Sequence, residues 1–580
     1  DQSLITSIVA PEPNATLLYT TNGTLPTDGN ARVVLPSSAD AVASQTLSID
    51  TTTILQVVAE KQGWVPSLPV ARSYLFIEDI LGQSASTAPT DQELPLMWEE
   101  DIEGDYGMDP SVVSTWDDFN PTNDDFGIRE SLKSLPTISL VMDHDGLWGE
   151  DGIYINSEAR TPDNNQWERV ASVEIISDNL YFDAAALVEM HGNFSRLHAE
   201  TLKHSMRFKL LPQDLGNKEN LRPLGLGIDA LQDSIALKAS FQDDFPGNRG
   251  PLSGYIRDTW MRQTLQEMGY PQADSSFAHL YLNGMYWGIV APTERITTGF
   301  VERRLDEESA SYDVLYSGSA KEADGPNFSD ELVPLIRSDI ESNATYQKLQ
   351  GNHPDGTPDE NGIALLDIEN FVDFMLPHLV ADASDFGRTN WYSYIDRESD
   401  ATGFRFLAWD QERFFEPNGY HPWSESYFSS TLGGMLGSLR ANEEFRLTFA
   451  DHVFTHLFGD GSLTIDKMAT RWRELAEDIE PAIVAESARW SSLDSHTIDT
   501  WRSEIDHVAE VIIPSFWTSA MQLFRDRGLY LNTEPPTALT NGSAGGIELF
   551  SEGGTILFTT DGSDPRKLGG TVGDTAEVYA

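Results

Sequence analysis

The chain contains no cysteine, which excludes disulfide staples, a thiolate nucleophile and any cysteine-ligated metal. Cations are scarce as well: 38 Lys and Arg stand against 92 Asp and Glu, a formal net charge of −54. Nucleic acid and anionic membrane surfaces are held by clustered positive charge, so this balance argues against both as partners. It suits a protein exported into a saline or calcium-containing medium. No apolar run is long enough to span a bilayer. Asp1 is not preceded by Met or a signal-peptide pattern, as expected of a mature chain or a fragment.

What is present is ample for several cores. The chain has 580 residues, 40% of them hydrophobic and 10% aromatic, which suggests about three or four domains. Residues 1–76 read as all-β, with a strand leading to Asn22-Gly23, a hairpin-turn signal, and an alternating strand at TILQVVAE. The first motif recurs near the other end. Leu18-Tyr19-Thr20-Thr21-Asn22-Gly23-Thr24 matches Leu557-Phe558-Thr559-Thr560-Asp561-Gly562-Ser563, and Pro26 matches Pro565. The repeat implies two copies of one module, at 1–76 and 535–580. Both copies resemble the small β-sandwich of the chitobiase/β-hexosaminidase C-terminal type, a structural or spacer element. The second stops at Ala580, short of where its counterpart would finish, so truncation is expected there.

Residues 77–130 read as an acidic linker. Asp101, Glu103, Asp105 and Asp109 alternate like a calcium loop, but Tyr106 and Val112 stand where an EF-hand needs Gly and Glu. Loose Ca²⁺ binding along 101–125 and a plain solvated linker both stay open.

The middle of the chain supplies the chemistry. Strands are expected at LPTISLVM, at Trp167–Ile176 and at Leu187–His191. A turn, Gly192-Asn193-Phe194-Ser195-Arg196, and a strand with Lys203, Arg207 and Lys209 at even spacing come next. Such a turn lets backbone N–H groups approach phosphate, and the cations would share one face, unless this is a surface strand with solvated lysines. Tyr255–Met268 shows the periodicity of an amphipathic helix, with Asp258 in its first turn. Phe277–Pro292 is a hairpin about Asn283-Gly284, followed by Glu294-Arg295. Residues 300–370 read as mixed helix and acidic loop. Helices are expected over Phe445–Phe458, Met468–Ser487 and Thr500–Arg527, interrupted near Pro481 and Pro514. Trp472, Trp490 and Trp501 are assigned to packing.

The organising stretch is Phe371–Phe415. A helical pattern (Phe371, Phe374, Met375, Leu379) leads into a polar turn with Asp385 and, five residues on, Asn390. Two aromatic segments, Trp391–Ile395 and Phe404–Trp409, flank a turn at Asp400–Gly403, and Asp410 and Glu412 lie at the exit. Phosphoryl transfer needs a carboxylate on the attacking hydroxyl and oxygen ligands for a divalent ion, and this order of Asp, Asn and Asp provides them. A solvated loop and a strand-end Asp would give the same spacing.

These motifs together resemble the spore-coat CotH family of atypical secreted kinases, over roughly residues 130 to 530. The likeness rests on Asp385, Asn390-Trp391, Trp409-Asp410 with Glu412, the Ser195-Arg196 turn, the Lys203-to-Arg207 strand, and the Asn283-Gly284 hairpin with Tyr286-Trp287-Gly288. His191 and Met206 depart from it, where the family commonly has Arg and an aromatic. No GxGxxG loop or HRD tripeptide occurs at these positions.

The resemblance implies an α+β fold: a two-lobed, kinase-like core over 131–530, with a β-rich first lobe and a mostly α second lobe. It implies a bacterial extracellular or surface kinase that transfers the ATP γ-phosphate to Ser or Thr of a protein. Asp385 would act on the acceptor hydroxyl, and Asn390, Asp410 and Glu412 would hold Mg²⁺ or Mn²⁺. Arg196, Lys203 and Arg207 would contact phosphate, Asp258 would pair with the lysine, and Glu294 would lie near the adenine. The alternative is an inactive, Ca²⁺-binding surface or matrix protein with a kinase-like core. A glycan hydrolase finds no convincing carboxylate pair outside the Asp385 loop.

Overall fold

The computed structural model describes residues 3–579 apart from 28, 118–126, 160–166, 178–179, 212–223, 225–233, 247–252, 306–311, 323–327, 398–401, 417–423, 491–495, 532–535 and 542–545. Asp400 and Ala401 of the Asp400–Gly403 turn and the end of the 101–125 acidic stretch therefore lie outside the described residues. The first of two units comprises Asp1–Ile256, Ala273–Arg295 and Glu474–Ile505; the second comprises Arg257–Gln272, Ile296–Arg473 and Asp506–Ala580.

In the first unit, β1 (Leu4–Val9) pairs with β4 (Ser44–Ile49), while β2 (Thr16–Thr20), β3 (Arg32–Val34), β5 (Thr53–Glu60) and β6 (Val70–Tyr74) form a second sheet in the order β3-β2-β5-β6. Inward residues of both sheets, among them Ile8, Leu17, Tyr19, Leu47, Ile49 and Leu55, share one core. Asn22-Gly23 is not the two-residue turn that the sequence suggests. Eleven residues, 21–31, separate β2 from β3, and Gly23, at φ +76°, donates its N–H to Ile54 O at 3.0 Å. The reason lies in the side chains: Asn22 Oδ1 accepts from Thr24 N (3.2 Å) and Thr24 Oγ1 (2.7 Å), which folds the segment on itself.

After a small hairpin, β7 (Met97–Glu99) and β8 (Ile102–Glu103), come the strands β9 (Thr137–Met142), β10 (Arg169–Ser177), β11 (Leu180–Met190), β12 (Met206–Leu210), β13 (Ser234–Lys238), β14 (Ala278–Leu282) and β15 (Met285–Glu294). They close a barrel in the order β10-β11-β12-β13-β15-β14-β9, with β14 and β9 parallel. The Asn283-Gly284 turn has φ of +46° and +80°, the left-handed pair that such a tight hairpin needs, and it joins β14 to β15 as expected. Every residue of β15 is buried. Helix Ile483–Trp490, also fully buried, packs against β15. Glu174 on β10 ties β6 to the barrel by accepting from Ser73 N at 2.7 Å, and its burial pushes its carboxyl up to about 7.

In the second unit, β16 (Tyr312–Tyr316), β17 (Ser319–Glu322), β18 (Trp391–Asp396) and β19 (Arg405–Ala408) form a sheet in the order β17-β16-β18-β19. The expected hairpin is there, Trp391 facing Ala408 and Tyr394 facing Arg405. The pair β16–β17 falls in a stretch read as helix and loop. Helix Ile368–Val380 is capped by Asp367, which accepts from Asn370 N at 2.9 Å, and it is buried at every position after Glu369. The helices at Glu443–Leu457 and Ile513–Asp526 agree with the periodicity, as does Ile465–Ile479, which runs from the second unit into the first, where a 3₁₀ turn at Glu480–Ala482 marks Pro481. Two antiparallel pairs follow: β20 (Thr537–Asn541) with β21 (Gly546–Phe550), and β22 (Leu557–Phe558) with β23 (Glu577–Val578), the latter two separated by residues 559–576. The repeated motif keeps its local bonding. Asp561 Oδ1 accepts from Ser563 N (3.0 Å) and Oγ (2.5 Å), and Gly562 has φ +82°.

Candidate functional site

The second unit gathers the acidic motif. Helix Ile368–Val380 delivers the chain to Asp385, and β18 begins directly after Asn390. Asn390 sits at φ +68°, a left-handed conformation that Asn tolerates better than most residues. Its Nδ2 donates to Asp385 O (3.0 Å), Asp385 Oδ2 (3.0 Å) and Asp410 O (3.3 Å). With Nδ2 committed to these acceptors, Oδ1 is the amide's acceptor atom, an oxygen of the kind that a cation takes. Asp410 is also left-handed, at φ +54°. Gln411 fixes the turn: Nε2 donates to Asn390 O (2.6 Å) and Trp409 O (3.0 Å), and its N–H donates to Asp258 Oδ1 (2.9 Å). Ser384 N donates to Arg413 O at 2.9 Å, closing the other side of the loop.

Asp385, Asn390 and Asp410 are thus brought together. The carboxylate oxygens of Asp385, Asp410 and Glu412 do not gather within 4.8 Å of one another. A Mg²⁺ site of the phosphoryl-transfer kind tolerates that, because the ion keeps waters and phosphate oxygens and takes only one or two protein carboxylates. Tyr316, missed by sequence reasoning because β16 was, has its phenol pushed up to about 12, first by burial and then by the charge of Asp410.

The cations sit in the first unit, and here the structure corrects the expectation. Strand β12 starts at Met206, so Lys203 lies before it and is fully buried, whereas Arg207 and Lys209 point outward from β12. The three do not share a face. Arg207 pairs across the strands with Glu189. Arg196 is buried, and its guanidinium donates to the carbonyls of Ser157 and Ala159. Glu294 Oε2 accepts from Asp274 N at 2.9 Å, and Glu294 N donates to Asp274 O at 3.0 Å, a reciprocal backbone clamp.

Lys203 does have an acidic partner, but it is Glu486 and not Asp258. Nζ donates to Glu486 Oε1 at 2.6 Å, and both side chains are completely buried. The same oxygen accepts from Tyr255 OH at 3.0 Å, while Oε2 accepts from Ile289 N at 2.5 Å. Burial, followed by the Glu486 charge, holds the Tyr255 phenol well above its ordinary value. Nζ also lies 5.2 Å from the centre of the Tyr255 ring. Asp258 is committed elsewhere, to Arg262 at 3.0 Å and to Gln411 N. Glu486 was missed because it lies 283 residues from Lys203. The one signal in the sequence was Tyr286-Trp287-Gly288. Gly288 has φ +98°, and a Cβ there would stand 2.5 Å from Glu486 Oε2 and 2.7 Å from Trp490 Nε1, so only glycine lets the helix approach.

Phosphotransferases of the kinase kind use a lysine held by a helical glutamate and an acidic, Asn-containing metal loop; the first unit holds a pair of the former kind and the second a loop of the latter kind. A family model described as "CotH kinase protein" matches residues 188–514, more than half of the chain, and the chain belongs to the CotH kinase family. No curated protein matches. Among solved structures, the crystal structure of a Helicobacter pylori proinflammatory kinase, CtkA, is similar at 9% identity over 61% of this chain and 92% of that one, with a TM-score of 0.20. At that score the likeness bears no weight on fold or chemistry.

Proposed function

We propose that this chain is a secreted or cell-surface protein kinase of the CotH type, which transfers the ATP γ-phosphate to Ser or Thr of an extracellular protein. The observation that carries the reading is the single amide of Asn390 bonded to both Asp385 and Asp410. Asp385 orients or deprotonates the acceptor hydroxyl. Asn390 Oδ1 and Asp410, with Glu412 close in sequence, hold Mg²⁺ or Mn²⁺, which offsets phosphate charge when bound. Lys203, kept in place by Glu486, contacts phosphate. Arg196 and Glu294 shape the backbone around their segments rather than touching nucleotide, and Asp258 positions Asp410 through Gln411. The two-lobed organisation and the sandwich character of the end modules belong to the same reading, supported by the barrel, the helical second unit and the repeated turn.

Incubation with γ-labelled ATP, Mn²⁺ and exported proteins from culture medium is expected to label Ser or Thr. Asp385→Asn should cut labelling by about 10²- to 10⁴-fold with ATP still bound. Asp410→Ala should lose Mn²⁺-dependent ATP binding in calorimetry. Labelling by Asp385→Asn at the wild-type rate would remove Asp385 from the chemistry. A wild type that takes up no ATP would leave a surface-binding protein with an idle kinase-like core.

A further inference from the structure

Away from the Asp385 loop, three metal-capable side chains meet in the second unit. Asp373 lies midway along helix Ile368–Val380, and His452 and His456 lie one turn apart on helix Glu443–Leu457. That i, i+4 spacing puts both imidazoles on one face of their helix. His452 Nδ1 stands 2.5 Å from Asp373 Oδ1, and His456 Nε2 stands 3.0 Å from the same oxygen. The second carboxylate oxygen, Oδ2, accepts from Tyr270 OH at 2.7 Å, which fixes the rotation of the carboxylate. The Asp373 side chain is 4% exposed, and the two histidines are 19% and 12% exposed. Among the described residues this is the group of three His or carboxylate side chains whose donor atoms all lie within 4.8 Å of one another.

We propose that Asp373, His452 and His456 bind one divalent transition-metal ion, zinc before the others. Two neutral imidazoles and one carboxylate are the donor set of a three-ligand zinc site. Around an ion with bonds of about 2.0–2.1 Å, tetrahedral donors stand about 3.3 Å apart, so the separations of 2.5 and 3.0 Å need open by less than about 1 Å. Tyr270 supplies the outer hydrogen bond that such a carboxylate ligand takes. The partial exposure of both histidines admits a water as fourth ligand. Imidazole donors also set this site apart from the all-oxygen Mg²⁺ chemistry assigned to Asn390 and Asp410. The ion would join two helices, one of which runs on into the Asp385 loop.

The full chain, stripped with a chelator and dialysed into metal-free buffer, is titrated with Co²⁺ and with Zn²⁺. The expected result is one ion per chain, visible d–d bands of four-coordinate Co²⁺, and displacement of Co²⁺ by Zn²⁺. His456→Gln should abolish the bands. Tyr270→Phe should keep them and weaken affinity about 10- to 100-fold. Asp410→Asn should bind Co²⁺ like the wild type. A wild type that shows no four-coordinate Co²⁺ spectrum and no stoichiometric Zn²⁺ uptake overturns the proposal and leaves a His–Asp–His hydrogen-bonded clamp. So does an unchanged spectrum in His456→Gln.

Discussion

Buried charge at single residues carries the strongest constraints in this molecule. Lys203 and Glu486 are both withdrawn from water, and the pair persists because Tyr255 OH and Ile289 N satisfy the remaining carboxylate valences. Glu486→Gln leaves the ammonium without its counter-charge. It is expected to cost about 3–5 kcal/mol of stability, read as a lowered urea midpoint, and to weaken ATP binding. Gly288→Ala should act in the same direction, since its Cβ would displace the Glu486 carboxylate from the left-handed turn of β15. Wild-type midpoints in both variants would show that the pair holds nothing in place. Lys203 was singled out by a family-like Lys-to-Arg pattern, although it lies before β12 and not in it. Its partner was not, because nothing local marks a glutamate on a helix that arrives 283 residues later.

Elements differ in how openly the sequence declares them. The hairpin β18–β19, the hairpin β14–β15 and helix Ile368–Val380 were legible, because alternation, an Asn-Gly turn and an apolar stripe are local signals. Strand β16 was hidden: Tyr-Asp-Val-Leu-Tyr is short and set among polar residues, and it is a strand because β17 and β18 pair with it on either side. Asn22-Gly23 misled for the opposite reason, since the Asn22 side chain bonds Thr24 and displaces the tight turn. At the exit of β19, the Asp410–Gln411 turn depends on a neighbouring helix through Asp258. Asp258→Ala is therefore expected to lower kcat by about 10²-fold, the scale of an ångström misplacement, with a smaller change in KM. Unaltered kcat would make that hydrogen bond irrelevant to catalysis.

For the whole molecule, the decisive quantity is a net charge of −54 on 580 residues. Self-repulsion on that scale destabilises any compact state, and salt relieves it. Raising NaCl from about 0.01 M to about 0.1 M shortens the screening length from about 30 to about 10 Å. Tm should rise by several degrees over this range in chelator-treated buffer, and equally with other monovalent salts at the same ionic strength. A flat or falling Tm would mean that the acids are already neutralised within the fold. By itself the sequence determined the absence of thiol chemistry, the acidity, the repeated Asn/Asp-Gly turn, and the Asp385, Asn390 and Asp410 candidates, because each is a property of composition or of residues close in the chain. Tertiary structure alone decided that Lys203 answers to Glu486, that Arg196 binds its own backbone, and that Asp373 meets His452 and His456. Those contacts join segments tens to hundreds of residues apart, and chain folding, not spacing, sets which of them close.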